Sequence, residues 1–496
     1  MSQGDTPRDA NGDRLQSRAV HSADGASDHA NGGPDVALTH GSRSTDERAS
    51  DARAGRAVAI PSGRLQRVAR MGGMAAQIAG GVALDGAAQL LRGQRPDLRQ
   101  LILTPSAISR LTQELARMRG AAMKMGQLLS MDAGDLLPEE LSQILSRLRA
   151  DADFMPPKQL KQVLDAEWGP GWQKRFRRFD VRPIAAASIG QVHRAVLPCG
   201  EEVAIKVQYP GVARSIDSDL SNLGSLLRAA RVFPPGFDLE PYLIEARKQL
   251  HEEVDYRREA QEMAAYAARL EGDARLLVPR HYPHLSTGSV LVMQFMQGQP
   301  IEQAVAAAGL QRDGIARDLL ALMLRELFEF GVMQSDPNFA NYLWQPDTGC
   351  IVLLDFGATR GLDPTTVTGY RNLLHAGLVE RTPFAIERAA GALGLLPQDL
   401  RADHRARLLA MIEQVLGVLR QPGNFDFADT SLAQQLQAEG MAMVQEGMAP
   451  PPVPMDVLFV QRKLGGLVLL ATRLAAQVDL ASLLDPYTRA DIAAAE

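Results

Sequence analysis

SDPNFAN at 335–341, followed by LLDFGAT at 353–359, decides how this chain is read. The two strings set Asp336 and Asn341 five residues apart and Asp355 nineteen residues beyond Asp336. In a kinase active site an Asp orients the attacking group, and an Asn and a second Asp at this spacing hold Mg²⁺. Magnesium is a hard cation that takes oxygen ligands and keeps waters and substrate phosphates in its shell, so one amide and one carboxylate suffice. Asp336 is therefore the candidate catalytic carboxylate, and Asn341 and Asp355 are the candidate metal ligands. DFG alone is three common residues, and a polar turn feeding an ordinary strand would also contain it. The apolar run Ile351, Val352, Leu353 and Leu354 leading into it, after D-x-x-x-x-N, makes the combination specific.

The upstream half of such a site should then exist, and PIAAASIGQVHRAVLPCGEEVAIKVQYPGV at 183–212 supplies it. The pattern predicts a loop, a strand from Gln191 to Val196, a turn at Pro198–Gly200 and a second strand from Val203 to Val207. Val-Ala-Ile-Lys, closed by Lys206, matches the phosphate-contacting strand of a kinase N-lobe, where lysine acts as a mobile point charge. A strand lysine facing water is the blander alternative. Against the glycine-rich pattern of kinases, the loop before it reads Ala185-x-Ala187-x-x-Gly190-x-Val192, with Ala186 and Ser188 between. Glycine serves such loops by accepting positive φ and letting backbone approach phosphate. Two alanines restrict both, so this loop is expected to be stiffer and its phosphate contacts different.

EEVDYRREAQE at 252–262 adds an acidic cluster. On one continuous helix Asp255 and Glu259 would share a face at i and i+4, with Glu253 well around from Glu259. One glutamate is needed to hold Lys206 on the phosphates: Glu259 is preferred, with Glu262 as the alternative. A solvated acidic face would give the same spacing.

The strings AAAS, VAIK, EVDYRREA, MQSDPNFAN and LLDFGATR, with KMGQ at 124–127, resemble the UbiB-like atypical kinases, which support ubiquinone biosynthesis in bacteria and mitochondria. The resemblance runs from about Gly63 to Tyr487. It implies an extension whose Lys-x-Gly-Gln motif, here Lys124, Gly126 and Gln127, folds across the active site. It also implies a Glu-x-Asp motif, here Glu253 and Asp255, that helps close it, and it favours Glu259 as the partner of Lys206. Without the family, Lys124 and Gln127 read as the polar edge of a helix from Leu111 to Met131. Many bacterial relatives carry His-x-Asp-Pro-His-Pro-Gly-Asn. Here the histidines are Gln334 and Asn338 and the glycine is Ala340, so the chain is more similar to the mitochondrial branch.

The composition narrows the class. A length of 496 residues allows a large core, and a net charge of −5 argues against a nucleic-acid partner, which would leave a basic footprint. The two cysteines, Cys199 and Cys350, are expected to be free thiols. His193 is expected on a strand surface. Residues 1–55 have isolated apolar residues and no period, the pattern of a disordered tail. No apolar stretch suited to a secretory signal follows Met1, and Asp5, Asp9, Asp13, Asp24 and Asp28 contradict a transit peptide. MGGMAAQIAGGVALDGAAQLL at 71–91 is rich in small residues and interrupted by Asp85. It is short for the roughly 20 apolar residues of a membrane span, so a span, an interfacial helix and a helix packed on protein all stay open.

The expected fold is α+β: an atypical protein-kinase-like two-lobed fold with a helical N-terminal extension. Its parts are the tail (1–55), a small-residue, membrane-associated helix (56–95), the Lys-x-Gly-Gln extension (96–180), an N-lobe (181–300) and a helical C-lobe (301–496). Within the C-lobe, helices are predicted over Leu408–Leu419 and Leu458–Gln477. The function expected is a Mg²⁺–ATP-dependent atypical kinase or ATPase supporting ubiquinone biosynthesis. Partners would be anionic membrane lipids or quinone precursors, other quinone-biosynthesis enzymes and a second copy of the chain, at the cytoplasmic face of the inner membrane. Gln334 and Ser335 immediately precede Asp336 in place of the usual arginine and no A-P-E follows DFG, which argues against a protein substrate. The alternatives are a nucleotide-responsive scaffold or lipid-binding module without turnover, and a small-molecule kinase of the aminoglycoside type with an acidic acceptor cleft.

Overall fold

A computed structural model of the chain describes residues 118–132, 154–229, 238–397, 400–448 and 453–488. The expected tail, the small-residue segment at 71–91, the first part of the extension, the Pro234–Gly236 loop and Pro450–Pro452 lie outside the described residues. The first described helix, α1 (Arg119–Asp132), presents Ala121, Ala122, Met125 and Leu128 to the core. Helix α2 (Pro157–Trp168) starts with proline, whose missing N–H costs nothing in a first turn. It buries Leu160, Leu164 and Trp168 on one i, i+4, i+8 stripe, at roughly 1.5–3 kcal/mol per aliphatic side chain.

The first sheet is antiparallel and runs β1 (Arg178–Phe179), β3 (Gly190–Val196), β4 (Glu202–Gln208), β6 (Val290–Gln294), with β2 (Ala185–Ala186) also on β3. The segment expected to be helical through residue 180 thus ends in a strand, because Arg178 and Phe179 pair with Val196 and Ala195. Strand alternation gives the sheet two faces. Val203, Ile205 and Val207 pack against α2 and the Trp168, Trp172 and Phe176 cluster. On the opposite face Val192, Lys206 and Leu291 lie side by side in register.

His193 belongs to the first face, which corrects the expectation of a surface histidine: it is fully buried and stacked on Phe179. Its environment is a relay of donors. Met155 N–H donates to Gln191 Oε1 (2.8 Å), the Gln191 amide nitrogen donates to His193 Nε2 (2.8 Å), and His193 Nδ1 donates to the Asp180 carbonyl (2.9 Å). That direction requires a neutral imidazole, and burial pushes His193 down to about 4.

Three helices follow β4. Helix α3 (Val212–Ala229) and α4 (Glu240–Glu253) both pack on α1. A break at Val254–Asp255 then separates α4 from α5 (Tyr256–Arg269). The single helix expected over 252–262 is therefore two. Asp255 does not share a helical face with Glu259; it caps α5, accepting from Arg257 N–H (3.1 Å) and Arg258 N–H (3.2 Å).

A second sheet orders β5 (Leu276–Leu277), β10 (Ile351–Leu353), β9 (Tyr342–Trp344) and β7 (Gln299–Pro300), while β8 (Val332–Gln334) pairs with β11 (Thr359–Gly361). These short strands present 335–341 and 354–358 as adjacent loops. The remaining helices are α6 (Gly309–Arg325), α7 (Pro364–His375), α8 (Pro383–Ala392), α9 (Ala402–Leu419), α10 (Ser431–Gln445), α11 (Met455–Leu474) and α12 (Leu480–Thr488). Helix α11 packs along α6 and stops at Leu474, short of the predicted Gln477, because Ala475 turns left-handed at φ 46°. Gly466 lets it lie against the 335–341 loop: a Cβ there would sit 2.4 Å from the Pro337 Cβ. Cys199 and Cys350 are free thiols, one exposed and one buried.

Candidate active site

Lys206 leaves β4 toward the helix face of the sheet and ends on the carboxylate of Glu259. The ammonium donates to Oε1 at 2.7 Å and Oε2 at 2.9 Å, and also to Asp355 Oδ2 at 3.3 Å. Lys206 is 6% exposed and Glu259 wholly buried, so the blander strand-surface reading of Lys206 and the solvated-face reading of Glu259 both fail. The Lys206 ammonium also sits 5.1 Å from the Tyr256 ring centroid. Burial alone would draw Lys206 down, but Asp355 and Glu259 outweigh it and hold the ammonium well above the ordinary lysine value. Burial pushes Glu259 up to about 7, against the pull of Lys206. Asp355 is depressed despite its burial, by Lys206 and by the Gly357 N–H that donates to Oδ1 at 2.8 Å.

Asp336 and Asn341 face this cluster across one cavity of about 980 Å³, which Lys206, Asp336, Asn341 and Asp355 all line. Asn341 donates its amide nitrogen to Asp336 Oδ2 at 3.2 Å, and Asn338 N–H donates to Oδ1 at 3.3 Å. With its nitrogen so committed, Asn341 has its amide oxygen to offer. Together with the Asp355 carboxylate this is a hard-oxygen donor set, which fits Mg²⁺.

The alanine loop forms the cavity's roof. Ala185, Ala186, Ala187, Ser188 and Val192 line it, while Gly190 does not. Gly190 is needed for a different reason from the one its motif suggests: a Cβ there would meet the Val207 carbonyl at 2.5 Å and Tyr256 Oη at 2.9 Å. Its close approach serves packing of β4 and α5.

Of the motif residues that the resemblance placed over the site, Lys124 and Glu253 line the cavity. Lys124 Nζ lies 3.5 Å from Glu253 Oε2, and the Ser188 hydroxyl donates to Glu253 Oε1. One carboxylate therefore ties α1, the end of α4 and the alanine loop together. Gly126 is buried in α1, Asp255 is the cap of α5, and neither lines the cavity; the Gln127 side chain lies outside the described residues. Glu262 is not in the cluster, leaving Glu259 as the partner of Lys206. Arg258, beside Glu259, donates to the Gly357 carbonyl at 2.9 Å and to the Thr359 carbonyl, joining α5 to the loop that carries Asp355.

Two functional candidates escaped the sequence reading. Lys463 of α11 is 1% exposed and donates to the Gln334 carbonyl at 2.9 Å, Gln334 Oε1 at 3.3 Å and Tyr342 Oη at 3.1 Å, with Glu326 Oε2 at 3.4 Å. It grips both ends of the segment that carries Asp336 and Asn341. Its neighbour Arg462 lines the cavity, 3.8 Å from Asp336 Oδ1. The only available signal was the basic pair in QRKLGG at 461–466, which by itself reads as a polar helix edge.

Comparison with known proteins shows the family. Residues 147–387 match the ABC1 atypical kinase-like domain. The mitochondrial atypical kinase COQ8 of Saccharomyces cerevisiae is 37% identical over 427 residues, 86% of this chain and 84% of that one. The mitochondrial atypical kinase COQ8B of Danio rerio is 34% identical over 434 residues, 86% of this chain and 69% of that one. Among solved structures, the Rv3197–erythromycin complex from Mycobacterium tuberculosis superposes with a TM-score of 0.55 at 24% identity. It covers 77% of this chain and 95% of the other, a likeness of fold. The chain belongs to the ABC1 atypical kinase family, the UbiB-like group its motifs resemble, and is an atypical kinase/ATPase.

Proposed function

We propose that the protein uses Mg²⁺–ATP, transferring the terminal phosphoryl group to water or to a small lipid-like acceptor, in support of ubiquinone biosynthesis at a membrane surface. The observation that carries this reading is Lys206, held bidentately by Glu259 with Asp355 at 3.3 Å, facing Asp336 and Asn341 across one cavity. Lys206 would meet the α- and β-phosphates, kept on axis by Glu259. Asn341 and Asp355 would hold the metal, which supplies charge neutralisation on phosphate oxygens when bound. Asp336 would orient the acceptor hydroxyl or water and take its proton. Phosphoryl transfer asks little covalent chemistry of a protein, so positioning and electrostatics carry the rate.

The membrane part rests on the family resemblance and on the small-residue segment at 71–91. Among the described residues no helix is long and apolar enough to cross a membrane. A second reading, a nucleotide-responsive scaffold with negligible turnover, is favoured by one observation. The Ser188–Glu253–Lys124 tie closes the loop over the cavity and would have to open, or be carried along, as nucleotide enters.

The test is phosphate release from Mg²⁺–ATP by the purified chain, with and without anionic liposomes, beside Asp336→Asn. Turnover that rises with liposomes and disappears in Asp336→Asn supports the catalyst. Nucleotide binding without turnover in either condition supports the scaffold.

A further inference from the structure

Arg462 and Lys463 are consecutive on α11, and consecutive residues on an α-helix point about 100° apart. Lys463 goes into the core beneath the 335–341 loop, and Arg462 goes to the cavity above it. The Arg462 side chain is 5% exposed, yet it is poorly partnered. Asp336 Oδ1 at 3.8 Å is beyond hydrogen-bond reach, and the Arg462 Nε makes no hydrogen bond among the described residues. Asp336 is itself already served by the Asn341 amide and the Asn338 N–H. A guanidinium carries five N–H donors in a planar fork suited to phosphate oxygens, so burying one with so little to bind is costly. Burial lowers Arg462 from the ordinary arginine value, with Asp336 opposing and Arg360 adding to the fall. Its position is fixed from both sides: Gly466 one turn on abuts Pro337, and Lys463 is bonded to Gln334.

We infer that Arg462 is a catalytic residue that binds the terminal phosphoryl group of the nucleotide beside Asp336 and neutralises charge on its oxygens during transfer. This rests on the ATP-using function proposed above, and it gives the site an arginine from α11 where Gln334 and Ser335 stand immediately before Asp336. In the step served, a bond forms between the acceptor oxygen and the terminal phosphorus, and the bond to the bridging oxygen breaks. ADP leaves with that bonding pair, and the acceptor proton passes to Asp336. With water as acceptor, inorganic phosphate is released.

The test uses the full chain and the variants Arg462→Met, which keeps most of the bulk, and Arg462→Lys, which keeps the charge. Turnover of ATP, affinity for Mg²⁺–ADP and the tightening of ADP by orthovanadate, a phosphoryl mimic, are measured for each. For Arg462→Met we expect ADP affinity within about twofold of the parent, turnover lower by about 10²–10³-fold, and loss of the vanadate tightening. Added guanidinium should recover part of that turnover, and Arg462→Lys should fall between. If Arg462→Met melts well below the parent, Arg462→Lys carries the comparison. Unchanged turnover, or ADP affinity that falls in step with turnover, overturns the assignment. If the parent shows no turnover, the ATPase reading fails by itself, and vanadate then judges Arg462. Equal tightening in parent and variant, or none in either, overturns it.

Discussion

Two buried lysines, one per lobe, each face a buried glutamate, and they are built to opposite ends. Lys206 has two carboxylates, Glu259 and Asp355, so its cluster carries an excess negative charge and borders the cavity. Lys463 has one carboxylate, Glu326, and its other partners are neutral: the Gln334 carbonyl and side chain and the Tyr342 hydroxyl. Its charge is balanced and it is sealed from the cavity. A buried ion pair is weak evidence for stability as such, since desolvation offsets much of its attraction. What separates these two is net charge and access to the cavity. The Lys206 cluster borders the cavity with a carboxylate to spare; the balanced Lys463 cluster holds a loop.

The largest effect that would break this comparison is on turnover. Lys206→Met should lower ATP turnover by about 10³-fold or more, in the range of lost electrostatic stabilisation of a transition state. Its unfolding free energy should move little by comparison, because Glu259, already pushed up to about 7, can take a proton. Next comes Lys463→Met, which should cost about 3–5 kcal/mol in urea unfolding, as expected when one member of a buried pair is removed. The double variant Lys463→Met/Glu326→Gln should recover part of that loss, since no charge is then stranded.

His193 sharpens the contrast as a buried titratable group whose burial outweighs the pull of the nearby Asp180 carboxylate. Unfolded, it takes a proton near the ordinary value of 6.5; folded, only near about 4. Its folded value is depressed, so acidification through that window favours the unfolded chain, by up to about 3 kcal/mol. Urea midpoints at graded pH should show this fall, and His193→Gln should flatten it. The smallest effect concerns the cap of the helix that carries Glu259. Asp255→Ala should cost about 1 kcal/mol in thermal unfolding, and Asp255→Asn much less, since an amide oxygen still accepts from the first turn.

What sequence could disclose follows the same division. Asp336, Asn341, Asp355 and Lys206 sit in short strings whose spacing is set by one loop or one strand, so local pattern placed them on a kinase site and the fold on a two-lobed plan. Glu259 was one of several acids: the break at Asp255 separates it from Glu252 and Glu253, and full burial against Lys206 separates it from Glu262 on the same helix. Lys463 and Arg462 were illegible because their partners are remote: Gln334 lies 129 residues from Lys463. His193 was misread because its strand alternates with no run of apolar residues to say which face is inside. The cover over that face comes from α2 and Phe179, outside the strand. Gly190 looked like a phosphate glycine by register, and only the neighbouring Tyr256 and Val207 reveal the crowding that requires it.

The bonds from Arg258 to the Gly357 and Thr359 carbonyls have a mechanical meaning. Glu259 and Asp355 reach Lys206 from separate elements, and in principle either element could withdraw alone. Arg258 is the next residue to Glu259 and is pinned to the stretch just after Asp355, so swinging α5 outward drags that stretch with it. Withdrawing one element alone would break both bonds, so the half-dismantled arrangements are disfavoured.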